Sequence, residues 1–147
     1  MNISRQEYGK LVQKLSPDSP LWKDTLNAFW TGGLICTVGQ LILNGYIALG
    51  LEKSDAGTAA SMTMVAIGAF LTGLGIYCRF AKLAGGGTLV PITGFANSVV
   101  APALEYKAEG FILGVGAKMF TIAGPVIVYG VSASVVYGLI YWITTIL

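Results

Sequence analysis

Leu83-Ala-Gly-Gly-Gly-Thr-Leu-Val-Pro-Ile-Thr-Gly-Phe-Ala-Asn-Ser98 is the stretch on which the fold turns. It is apolar enough to lie in a membrane, yet it holds Gly85, Gly86, Gly87, Pro91 and Gly94. In a helix interior Gly costs about 1 kcal/mol and Pro about 3 kcal/mol relative to Ala. No unbroken helix is expected here. Backbone groups freed by a break cannot face lipid; they are buried in protein or line a wet cavity. Interrupted helices at membrane depth are a device of channels and transporters. The competing reading is a Gly-rich connecting loop followed by a short helix over 93–104.

The residues on either side support the membrane reading. No charged residue lies between Asp24 and Glu52, between Asp55 and Arg79, or after Lys118. About 20 apolar residues in a helix cross the roughly 30 Å hydrocarbon core. Spans are therefore expected over 26–51, 58–78 and 125–147, with 83–104 as a broken third element that either crosses or is re-entrant. A single helix over 110–147 would run about 57 Å at 1.5 Å per residue. A second break is expected at Gly124-Pro125, giving pieces 110–124 and 125–147. Gly110 and Gly114 offer a small-xxx-small helix contact on the first piece.

The whole composition agrees. Of 147 residues, 54% are hydrophobic and 11% charged, against roughly 25% charged in soluble proteins. The mean hydropathy is +0.71. There is no His, so a Ser-His-Asp triad and a His-based metal site are excluded. The net charge of +2 leaves nucleic acid without an electrostatic footprint. Cys36 and Cys78 lie in apolar runs and suggest no disulfide framework. The expected class is an all-α integral membrane protein with about four membrane-embedded helical elements, no cofactor and no metal site. Glu105 and Glu109 are the only clustered acids, too few for convergent catalytic groups, so no enzyme activity is expected.

Residues 1–18 read as a surface segment and linker, and 19–147 as one transmembrane domain. Ser4-Arg5-Gln6-Glu7 fits a capping box, with Ile3 and Tyr8 as its hydrophobic staple. Tyr8, Leu11, Val12 and Leu15 share one helical face, while Lys10 and Lys14 point elsewhere, as in a helix lying on a membrane surface. Ser16-Pro17-Asp18-Ser19-Pro20 ends it; Ser19 as N-cap with Pro20 at the first helical position would start the next helix. Arg5, Lys10, Lys14 and Lys23 precede the first span, and Arg79 and Lys82 follow the second. That bias puts the N-terminus in the cytoplasm.

Several polar residues are candidates for function. Thr37, Gln40 and Asn44 share one face of the first span, either lining a pore or bonding between helices. Lys118 is the most isolated charge. It is placed for an anion path, for pairing with Glu105 or Glu109, or for snorkelling to a headgroup. Glu105, Lys107 and Glu109 cluster between the broken regions. Glu105 and Glu109, spaced i, i+4, either attract Ca²⁺ at a pore mouth or form a solvated turn. Asn97 can offer its amide to a ligand carboxylate or cap the local backbone.

Four motifs together resemble a known family. They are Gly32-Gly-Leu-Ile-Cys-Thr-Val-Gly-Gln40, Leu71-Thr-Gly-Leu-Gly-Ile-Tyr77, the glycine run through Ser98, and Ala103-Leu-Glu-Tyr-Lys-Ala-Glu-Gly110. The chain is similar to the SpoVAC/SpoVAEB membrane protein family of spore-forming Firmicutes, over about residue 26 to the C-terminus. The N-terminal extension favours the longer members over the shorter AE-type ones. The resemblance implies a multi-pass protein of the spore inner membrane. It implies a channel passing dipicolinic acid, with Ca²⁺, into the developing spore and out on germination, and opened by membrane tension. It also implies partners among other SpoVA proteins, the AE-type protein above all, in a homo- or hetero-oligomer. It transfers no ligand residues.

Overall fold

A computed structural model describes residues 5–16 and 20–146. Among these every regular element is a helix, with no strand. The expected cap at Ser4, the staple to Ile3, the N-cap at Ser19 and the side chains of Lys10 and Lys14 lie outside the described residues. α1 (Arg5–Leu15) leaves Tyr8, Leu11, Val12 and Leu15 exposed.

α2 (Leu21–Ala48) and α3 (Lys53–Gly73) form an antiparallel pair. The expected spans began at 26 and 58 because they were drawn from the charge gaps. Both helices start earlier, with Asp24 and Asp55 in their first turns, where carboxylates favour the positive end of the helix dipole. Pro20 is the N-cap of α2 rather than its first helical residue. A stripe of Ala56, Ala60, Met64, Gly68 and Thr72 runs down α3 at every fourth position and is buried. Small residues there let neighbouring backbones approach closely.

The second span stops at Gly73 and not at 78. Gly75 takes a left-handed conformation, φ +71, and turns the chain into the short α4 (Ile76–Leu83). A tight turn at Gly85 (φ +56) and a 3₁₀ turn (Gly87–Leu89) lead to α5 (Pro91–Glu105), with Pro91 at its start. Pro is favoured there because its missing N–H has no helical partner to lose.

The contacts along 84–97 give the path of this broken element. Gly85 packs on the backbone of Asp24, and Gly87 on Ala28, Thr31 and Gly32. Ile92 shares a cavity with Gly39 and Gln40. The chain therefore travels inward along α2. Thr93 and Ala96 then meet Gly68, and Asn97 meets Thr72. Residue numbers rise together on α3 and α5, so α5 runs parallel to α3, back toward the end at which α3 stops. The third element is a re-entrant hairpin. α5 has 15 residues, about 22 Å at 1.5 Å each, which is short of a ~30 Å crossing.

A 3₁₀ turn (Tyr106–Glu109) and a π turn (Phe111–Gly116) connect α5 to α6 (Phe120–Ile146). The break expected at Gly124-Pro125 is absent: α6 continues through Pro125. The interruption comes earlier, between the π turn and Phe120. Gly110 and Gly114 form no helix–helix contact face either. Gly110 (φ +95) lies outside the helix, and Gly114 is buried against the carbonyl of Tyr106 and the side chain of Glu109. α6 meets α5 around Ala123, and every residue from Pro125 to Ile146 is exposed.

Three stretches are long and apolar enough to cross a membrane: Leu21–Ala48, Lys53–Gly73 and Phe111–Ile146. The protein is an all-α membrane protein with one re-entrant hairpin beside its first two spans.

Candidate functional site

The hairpin is held by glycines that serve close approach and by hydroxyls that bond across it. A Cβ on Gly85 would lie 2.6 Å from the Asp24 carbonyl oxygen. One on Gly87 would run into the Thr31 hydroxyl and lie 2.8 Å from the Ala28 carbonyl oxygen. One on Gly94 would lie 2.9 Å from the Thr88 carbonyl oxygen. Gly86 differs: its φ is −84 and its nearest neighbour is a Leu89 methyl at 3.9 Å. It is a glycine of composition, not of geometry. The Thr31 hydroxyl donates to Asn27 O at 2.6 Å and reaches Ala84 O at 3.3 Å, joining α2 to the turn.

Tyr77 anchors the hairpin from α4. Its ring is 5% exposed. Its hydroxyl donates to Thr88 O at 2.9 Å and lies 3.2 Å from Thr93 Oγ1. The Thr72 hydroxyl is shared between Gly68 O at 2.7 Å and Asn97 Oδ1 at 3.1 Å. Cys78 Sγ is 3.9 Å from the same oxygen. Asn97 thus bonds α5 to α3.

α5 starts beside a cavity of about 290 Å³ between the spans, bounded by Gln40 and Leu43, by Ala60, Ser61 and Met64, and by Ile92. Gln40 Nε2 donates to Asn44 Oδ1 at 2.9 Å, and Thr37 donates to Gly33 O at 2.8 Å. All three side chains of this face are exposed, so the face is not buried between helices of one chain. Chemically the cavity offers amide and hydroxyl groups near the positive end of a helix dipole.

The remaining candidates lie elsewhere. Lys118 Nζ is 5.1 Å from the Tyr106 ring centroid, a cation–π contact on the α5–α6 connector. Glu105, Lys107 and Glu109 are exposed on the same connector. α5 ends at Glu105 and the chain tightens to 3₁₀, so the helical i, i+4 relation of the two carboxylates does not hold. Gly124 and Pro125 lie inside α6, where a Cβ on Gly124 would meet only Phe120 Cβ at 3.9 Å. The sequence reading missed Thr31, Thr72, Tyr77, Thr88 and Thr93. Their signal was a hydroxyl in an apolar run with no obvious use, which in a membrane demands a partner.

The family profile described as SpoVAC/SpoVAEB sporulation membrane protein matches residues 24–140. The chain belongs to the SpoVAC/SpoVAEB family. It is 44% identical over 141 residues to Stage V sporulation protein AC of Bacillus subtilis (strain 168), covering 95% of this chain and 94% of that one. No solved structure matches. The matched region contains the re-entrant hairpin, the polar face of α2 and the connector, so all three lie in the part of the chain that matches the family.

Proposed function

We propose that the chain is a subunit of a spore inner-membrane channel. It moves dipicolinic acid, with Ca²⁺, into the forespore during sporulation and out during germination, and membrane tension opens it. The observation that carries this reading is the hairpin: α5 begins at mid-depth, beside a cavity bordered by Gln40. The B. subtilis relative is named for stage V sporulation.

The chemistry supports it. Dipicolinate is a planar dianion at neutral pH, and burying its charge in hydrocarbon costs far too much for unaided crossing. A path needs only weak polar sites and a helix dipole turned toward the carboxylates. The exposed Thr37–Gln40–Asn44 face supplies such a strip on α2. One chain does not enclose a lumen: α3 packs directly on both α2 and α5, and α2 packs on the 3₁₀ turn that leads into α5. The lumen lies between chains, in an oligomer of this protein or with the AE-type SpoVA protein. No catalytic step is involved. The basic residues Arg5, Lys10, Lys14 and Lys23 ahead of the first span support a cytoplasmic N-terminus, with α1 on the membrane surface.

The same exposed face favours one alternative, a non-conducting scaffold whose amides bond to a partner helix. Liposomes separate the two. Purified protein, alone and with the AE-type partner, is loaded with dipicolinate and stretched osmotically. Efflux under tension supports the channel. Silence in both preparations, with assembly verified, supports the scaffold.

A further inference from the structure

The geometry points to a binding site for one diacyl anionic phospholipid on the face shared by α2 and α4. It borders the Thr37–Gln40–Asn44 face at Thr37 and does not rest on the conducting role proposed above.

Two apolar hollows lie side by side on this face. The first, about 290 Å³, lies between α2, α3 and α4, with Leu34, Val38, Met64, Leu71, Ile76 and Phe80 around it. The second, about 470 Å³, runs over Phe29, Trp30, Gly33 and Leu41, is bordered by Thr37, whose hydroxyl donates to Gly33 O at 2.8 Å, and shares Leu34 and Val38 with the first. Leu34 and Val38 are thus a ridge between two troughs. A cavity of about 150 Å³ holds a benzene ring, so the smaller trough holds an alkyl segment of roughly a dozen carbons. Two adjoining troughs match the two acyl chains of one lipid.

The first trough exists because Gly75 turns α4 away from the line of α3. The hydroxyls of Tyr77 and Thr93, at its floor, are used by each other and by Thr88 O. Nothing polar is left facing the trough, so it stays dry and accepts hydrocarbon.

Charge decides the headgroup. Lys23 lies two turns before Trp30 on the same face of α2 and is exposed. Arg79 follows Ile76 by three positions on α4, flanks the first trough and is exposed. Neither makes an ion pair among the described residues. Both lie at the end where α2 starts and α4 begins its turn, so they bracket the position a phosphate takes when its acyl chains lie in the troughs. Each cation near a membrane surface strengthens binding of an anionic lipid by roughly fivefold.

Native mass spectrometry of the full chain, extracted with phosphatidylglycerol or phosphatidylcholine added, tests this. Wild type is expected to retain phosphatidylglycerol preferentially. Lys23→Gln with Arg79→Gln is expected to lower that preference by at least about tenfold, and Lys107→Gln to leave it unchanged. Val38→Trp extends the ridge into both troughs and is expected to reduce retention of both lipids; Leu34→Phe is a milder version if helicity by circular dichroism falls. Equal retention of the two lipids by wild type overturns the proposal, as does phosphatidylglycerol retention unaffected by either ridge variant. Efficient disulfide cross-linking of Val38→Cys between copies, in a Cys36→Ser, Cys78→Ser background, also overturns it, because the face is then occupied by a second copy.

Discussion

The hydroxyl of Tyr77 reaches from α4 to the carbonyl oxygen of Thr88, 2.9 Å away, and so pins the entry of a re-entrant hairpin to the helix that precedes it. The bond is buried, and the same hydroxyl lies 3.2 Å from Thr93 Oγ1 in the first turn of α5. Tyr77→Phe removes the donor while keeping the ring. It leaves a buried carbonyl with one partner fewer, at a cost of about 1–3 kcal/mol. The expected outcome is a lower thermal midpoint in detergent with unchanged far-UV helicity at low temperature. An unchanged midpoint would mean that the hairpin does not depend on this bond.

The three consecutive glycines are not equivalent. A methyl at Gly87 has no room, because the Ala28 carbonyl oxygen at 2.8 Å and the Gly32 nitrogen at 3.0 Å are backbone atoms of α2. Gly87→Ala therefore forces the turn off α2 and is expected to cost about 1–3 kcal/mol, as overpacking does. Gly86→Ala meets only a Leu89 methyl at 3.9 Å and is expected to stay within about 0.5 kcal/mol of wild type. Thermal midpoints of the two purified variants give the comparison, and equal effects would sink it.

The sequence showed the break and the spans but not the path between them. Gly85, Pro91 and Gly94 made an unbroken helix untenable, and the charge gaps located the apolar stretches. Both signals are local. The direction of α5 is not local: it is set by Thr93 and Ala96 packing on Gly68 and by Asn97 meeting Thr72. The Gly124-Pro125 expectation failed for a related reason. Pro removes one helical hydrogen bond, and membrane helices tolerate that loss when neighbours or local adjustment re-satisfy the carbonyl. The chain spends its irregularity at Phe111–Gly116 instead, where Gly114 packs on Tyr106 and Glu109. Of the proposed polar set, only Thr37, Gln40 and Asn44 stay together. Asn97 is used between α3 and α5, and Lys118 belongs to the connector.

Gln40 distinguishes transport from scaffolding. Its amide donates to Asn44 within α2, so the pair needs no partner from its own chain. Gln40→Leu with Asn44→Leu removes the polar strip at mid-depth and raises the apolar character of α2, so folding is not expected to suffer. In proteoliposomes the expected result is loss of tension-driven dipicolinate efflux, at least about tenfold, with the oligomer preserved. Loss of the oligomer with no efflux to lose in wild type would favour the scaffold.

Lys118 calls for a different experiment, because its ammonium lies over Tyr106 at the end of α5, away from the Gln40 cavity. A cation at a pore mouth acts by raising the local concentration of an anionic solute, and that action is screened by salt. The screening length is about 30 Å at 0.01 M and about 8 Å at 0.15 M ionic strength. Lys118→Gln is therefore expected to lower dipicolinate efflux several-fold at 0.01 M salt and by less than about twofold at 0.15 M. Loss of the cation–π contact should cost only about 0.5–1 kcal/mol of stability, too little to unfold the connector. An equal loss at both ionic strengths would instead make Lys118 a direct ligand of the solute, and no loss at either would leave it a structural cation holding Tyr106 in place.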